Sequence, residues 1–148
     1  MTTTRRDNVC SQNGTLAIGT TVAKARTTTA ATYTINGRSI NKALTDDLFT
    51  LSGNSLAARQ VCVFWCLLDA AGVATMTQTA VREASTSTSL TARYVAGAFD
   101  WPEPDGRTVI GAVVVNSGAA AFVPGTTSLV GVATYINAGP DYGLPINY

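Results

Sequence analysis

Histidine is missing from this 148-residue chain, and charge is scarce. Without an imidazole there is no Ser-His or Cys-His nucleophile pair, no imidazole general base and no imidazole metal ligand. Charged residues make up 13% of the chain, about half of the roughly 25% usual in a soluble domain. A monomer ordinarily keeps its neighbours away with surface Lys and Glu, so part of this surface is expected to be covered by copies of itself or by a partner. Cysteine is limited to three residues, too few for a disulfide framework. Cys62 and Cys66 stand four apart in an apolar run; in an extended strand, at about 3.3 Å per residue, their Cα atoms lie roughly 13 Å apart. A disulfide spans only roughly 4.4–6.8 Å. With no basic neighbour to lower their pKa, the expectation is of buried, inert thiols, with Cys10 alone near the front. No apolar stretch is long enough for a membrane span, and no apolar h-region follows Met1–Asn8, so the expected place of synthesis and assembly is a cytoplasm.

What the chain does have is short β-prone runs separated by turn signals. Val61–Leu68 is the longest unbroken apolar run, rich in β-branched and aromatic residues, stopped by Asp69 and followed by Ala70-Ala71-Gly72. The segment after it alternates Val73, Thr75 and Thr77 with Ala74, Met76 and Gln78. Together they predict a hairpin whose first strand is buried on both faces. Tyr33–Ile40 carries Asn36-Gly37 at its centre, a type I′ turn signal. Leu48, Phe49 and Leu51 are expected in the core, while Thr45-Asp46-Asp47 either caps one helical turn or shapes a loop. Thr108–Val115 is a second strongly apolar strand, Phe122–Thr127 a strand end with a tight turn, and Leu129–Ile136 a last strand. No long helical period occurs anywhere. The expected fold is all-β, an antiparallel sandwich or barrel of jelly-roll-like type spanning residues 31–148 with an extended C-terminal tail.

Residues 1–30 are dominated by Thr, Ala, Gly and Asn, and they predict an extended N-terminal arm. Up to residue 45 the chain has Arg5, Arg6, Lys24, Arg26, Arg38 and Lys42 against Asp7, a net of +5; the remainder has four arginines against eight acids, a net of −4. Such a basic front is either a solvated arm or one that docks on something negative, a neighbouring subunit included. Its candidate contact residues are Arg5, Arg6, Leu16, Ile18, Lys24 and Arg26. Trp101, beside a turn, is either an interface aromatic or a core plug. Tyr142 and Tyr148 in the tail complete the set, and Trp65 is expected in the core.

Residue by residue, catalysis finds little support. Asp46-Asp47 reads as a turn or cap rather than half of a glycosidase pair. Asp100, Glu103 and Asp105 could alternate as oxygen ligands for Ca²⁺, but they do not fit an EF-hand loop, and Pro102 and Pro104 account for the region as a turn. There is no phosphate-binding glycine loop with a following lysine, and basic residues do not interleave with aromatics as in a single-strand nucleic-acid surface. The expectation is therefore no enzyme, no catalytic residue, no metal, no cofactor, no nucleic acid and no membrane.

Tyr33-Thr34-Ile35-Asn36-Gly37, Lys42-Ala43, Thr45-Asp46-Asp47 and Asp69-Ala70-Ala71-Gly72-Val73 resemble segments of small virion structural proteins of tailed bacteriophages. So do Ile110–Asn116 and Phe122–Thr127. The resemblance covers about residues 33–136. It implies a β-rich cement (decoration) protein or head-surface spike, often trimeric, that stabilises a capsid lattice through the major capsid protein and neighbouring copies of itself. A family of this kind has no catalytic residues. An alternative is a tail or fibre component acting as a host-glycan adhesin, with Trp101 and Tyr94 as its first contacts; a small hydrolase built on the acidic residues is the remaining, least supported one.

Overall fold

The computed structural model describes residues 10–83 and 106–137. They form eleven strands and no helix: β1 (Cys10–Gln12), β2 (Leu16–Ile18), β3 (Lys24–Thr27), β4 (Ala31–Ile35), β5 (Arg38–Lys42), β6 (Phe49–Thr50), β7 (Gln60–Asp69), β8 (Ala74–Gln78), β9 (Arg82–Glu83), β10 (Arg107–Asn116) and β11 (Ala133–Asn137). The fold is all-β and antiparallel in every pair.

β7 and β10 are its centre. They pair from Arg107 opposite Asp69 to Asn116 opposite Val61, with β8 and β11 outside them and β9 against the start of β7. Every side chain from Val61 to Leu68 and from Thr108 to Val115 is buried, Gly111 counted with them by its backbone. Runs apolar on both faces form this way because neither face meets water. The register slips at Ile110, between Val109 and Gly111, as a bulge. Gly111 follows because a Cβ there would stand 2.6 Å from both Leu16 Cδ1 and the Ile136 carbonyl oxygen. No larger residue fits between those two neighbours.

The pairing assigns Cys62, Phe64, Cys66 and Leu68 of β7 to one face together with Thr108, Gly111, Val113 and Val115 of β10. Over this face lies a second layer made of two three-stranded sheets, β1-β4-β5 and β2-β3-β6. The two sheets join at a corner, where Thr28 N and Thr29 N donate to Gly14 O at 2.8 and 3.0 Å. Thr108 Oγ1 donates to Thr34 O (2.8 Å) and Leu16 N to Asn137 Oδ1 (2.8 Å), tying both halves of the layer to the large sheet. Tyr33, fully buried, reaches its hydroxyl to Asp69 O at 2.7 Å.

The predicted hairpins are present. Asn36 and Gly37 have φ of 51° and 79° between β4 and β5, the left-handed pair a type I′ turn needs. Asp69 ends β7 and then holds the next turn, its Oδ1 accepting from Ala71 N and Val73 N. Leu129–Ile136 is only half a strand: β11 begins at Ala133, and Leu129 O instead accepts from Val132 N and Ala133 N in a turn. Phe122 makes a single bridge with Leu56 before the Val123–Thr127 turn.

The largest difference lies at the front. An arm drawn to residue 30 does not describe residues 10–27, which are strands β1, β2 and β3 of the second layer. Their inward positions are small, Ala25 and Thr27 alternating with half-buried Lys24 and Arg26, so the period of two is present without a hydrophobic signal. Residues 1–9 and the tail beyond 137 lie outside the described residues, as does 84–105 with its Ser/Thr-rich stretch and the Asp100–Asp105 turn.

Candidate interaction surface

Of the residues singled out from sequence, Arg5, Arg6, Trp101, Tyr142 and Tyr148 lie outside the described residues, as does Tyr94. The other four fall on one hairpin, β2–β3. Leu16 is 5% exposed and packs into the chain's own core, so it is not an outward contact. Ile18 is half-buried against the same core. Lys24 and Arg26 are half-buried on β3; Arg26 Nε is buried and has no hydrogen-bond partner among the described residues.

The tip of this hairpin is held by two residues that sequence reasoning assigned to a cap or loop. Asp46 Oδ1 accepts from Thr20 N (3.0 Å) and from Asp47 N (2.9 Å). Asp47 Oδ1 accepts from Thr21 N (3.0 Å) and its Oδ2 from Thr21 Oγ1 (2.7 Å). Asp47 adopts φ of 52°, a conformation Asp tolerates better than most residues. The Asp46 carboxyl is held below its ordinary value chiefly by the Thr20 hydrogen bonds, with Asp47 N and the Arg26 charge adding to them. On its other side the tip is fixed by Leu129 N donating to Val22 O at 2.8 Å. Val22 and Val130, at this joint, are 47% and 67% exposed. The tip is thus a rigid, outward-facing apolar spot framed by carboxylates, and no local sequence signal marks it, since the bonded partners are 26 residues apart.

The thiols sit where nucleophilic chemistry is disfavoured. Burial pushes Cys10 up to about 12 and Cys62 up to about 11, and pushes Cys66 up further. Gln78 Nε2 donates to Cys62 Sγ at 3.6 Å, which opposes part of that shift. Burial likewise pushes Tyr135 up to about 12, and its hydroxyl has no partner among the described residues. Neutral thiols are poor nucleophiles and poor metal ligands. Among the described residues no three Cys, Asp or Glu side chains gather as a metal site.

Outside the hairpin tip, the described strands at the ends of the large sheet are β8 and β11, with the two-residue β9 beside β7. From Thr108 to Pro140 the sequence has no charged residue, and β8 has none either. No known protein family, no curated protein sequence and no solved structure matches the chain.

Proposed function

We propose that this protein is a non-enzymatic virion structural protein, a cement protein that binds the outside of a phage capsid and makes contact with copies of itself. The observation that carries the reading is the distribution of charge over the body. The large sheet has Asp69 and Arg107 at one end and Arg82 and Glu83 on β9, while β8, β11 and the whole of Thr108–Pro140 have none. A surface that remains monomeric in water is normally studded with both signs of charge. One that is to be covered by a protein lattice gains from their removal, because the central part of an interface is depleted of charged residues. The segments that resemble phage structural proteins, Tyr33–Gly37, Asp69–Val73 and Phe122–Thr127 among them, are turns and strand ends of this same body. On this reading the protein acts in the virion, after assembly in the host cytoplasm.

The test is to mix the purified protein with undecorated capsids, then measure co-sedimentation and the temperature of DNA release. Binding with a raised release temperature is expected. Deleting residues 1–9, which takes away Arg5 and Arg6 and leaves every described strand, should weaken binding without unfolding the body. Absence of binding by the intact chain overturns the reading; signal on a glycan array, abolished by Trp101→Ala, would favour an adhesin instead.

A further inference from the structure

We propose that β8 is a self-association edge, pairing antiparallel with β8 of a second copy about a two-fold axis through Met76. The proposal rests on one part of the functional reading, that copies of this chain meet, and it names where they do.

The described sheets end in seven strands, of which β9 has only two residues. β1 is three residues long and bulged, and β2 and β6 have three and two residues. That leaves three edges of five residues: β5, β8 and β11. An antiparallel two-fold pairing places the first residue of a strand opposite the last of its copy, so a self-pairing edge must be self-complementary. β5 fails this condition. Arg38 would stand opposite Lys42 twice over, and like charges directly opposite in a ladder are destabilising. Basic ends are a common device for blocking an edge. β11 is asymmetric, setting exposed Thr134 against buried Ile136.

β8 meets the condition. Ala74-Thr75-Met76-Thr77-Gln78 is nearly symmetric about Met76. Thr75 of each copy would face Thr77 of the other, a favourable cross-strand pair, and the two Met76 side chains would meet on the opposite side. The sheet register agrees with this division: Met76 pairs with Cys66 on the covered face, while Thr75 and Thr77 pair with Leu67 and Trp65 on the other. Met76 is only half-buried, Thr77 is exposed, and Val73 just before the strand is 54% exposed. Among the described residues no strand pairs with the outer side of β8. The strand has neither charge nor proline, the usual protections of an edge. Paired in this way, the large sheets of two copies become one continuous sheet, and the unit is a dimer rather than the trimer that the phage resemblance implies.

The wild-type chain and three substituted chains test this. Analytical ultracentrifugation of the wild type should give a dimer. Thr77→Lys sets a lysine beside Arg107 of the other copy, whose Nη1 is bonded to Thr75 Oγ1 at 3.1 Å. This repulsion occurs twice, and the dimer dissociation constant should rise by roughly tenfold or more, with circular dichroism unchanged. With Cys66, which stands directly opposite Met76 on β7, replaced by Ala, Met76→Cys should form an intermolecular disulfide on mild oxidation, whereas Ile40→Cys in the same Cys66→Ala chain, at the matching centre of β5, should not. A monomeric or trimeric wild type, a Thr77→Lys dimer as tight as wild type, or equal cross-linking at 40 and 76 overturns the proposal. A dimer that fails to bind capsids would remove the cement reading and leave the edge pairing standing; a monomer that binds them would do the reverse.

Discussion

The front of the chain, residues 10–50, and the large sheet of β7, β8, β10 and β11 solve the same problem by different means. In the large sheet, β7 and β10 are ten residues each and apolar on both faces. They are stabilised chiefly by removing Val, Leu, Phe and Trp side chains from water. In the front, most strands have three to five residues, and much of what holds them is polar. Thr27, 1% exposed, accepts at its Oγ1 from Thr45 N at 3.0 Å, and Asp46 and Asp47 fix the Thr20–Thr21 tip. A stretch can therefore belong to a core without a hydrophobic pattern, provided that its backbone groups find partners and its small residues let another layer come close.

Truncation tests this most severely. Deleting residues 1–30 takes away β1–β3 and uncovers the face around Gly111, so loss of the cooperative thermal transition is expected. Deleting 1–9 should leave that transition in place. A shortened chain lacking 1–30 that still melts cooperatively at the wild-type temperature would show the front to be a dispensable arm. Next come the single cavities. Trp65→Ala, at a side chain 1% exposed in β7, should cost about 3–5 kcal/mol in chemical denaturation. Leu16→Ala in β2 should cost about 2–5 kcal/mol, whereas a residue of a loose arm would cost close to nothing. Thr27→Val keeps the shape and leaves Thr45 N without its acceptor, for about 1–3 kcal/mol.

The smallest expected effect is acid sensitivity at the hairpin tip. The folded-state pKa of Asp46 lies below its unfolded value, so its contribution is present above the unfolded pKa of about 3.9 and is lost as pH falls through the folded value. Asp46→Asn retains an acceptor oxygen and cannot titrate. Between pH 5 and pH 2 the wild type should lose more of its melting temperature than Asp46→Asn does; parallel losses would assign the acid sensitivity elsewhere.

How much of this was legible in the sequence follows from the same comparison. Long apolar strands announce themselves: the sequence marks Val61–Leu68 and Thr108–Val115 at nearly their observed limits, and the Asn36-Gly37 turn with them, because each signal is local. The core positions of Phe49, Leu51 and Trp65 are legible for the same reason. β2 and β3 are not legible as strands because Ala25 and Thr27 are too small and too polar to register as an apolar face. The role of Asp46 and Asp47 was hidden because their partners come from a distant turn. Sequence alone puts Leu16 among the outward contacts; only the approach of β10 at Gly111 shows which way it faces. The symmetry of Thr75-Met76-Thr77 has no meaning until the strand order places it on an edge.

The central claim is that the front and the large sheet form one cooperative body, on which any contact surface is carried. Native-state hydrogen exchange of the full-length chain tests it directly, by comparing the amides of Ala17, Ala25 and Tyr33 with those of Val63, Phe64 and Val113. The protected amides in both groups should exchange through the same global opening, with matching free energies and matching dependence on denaturant. Front amides that exchange freely while the large sheet stays protected would contradict it.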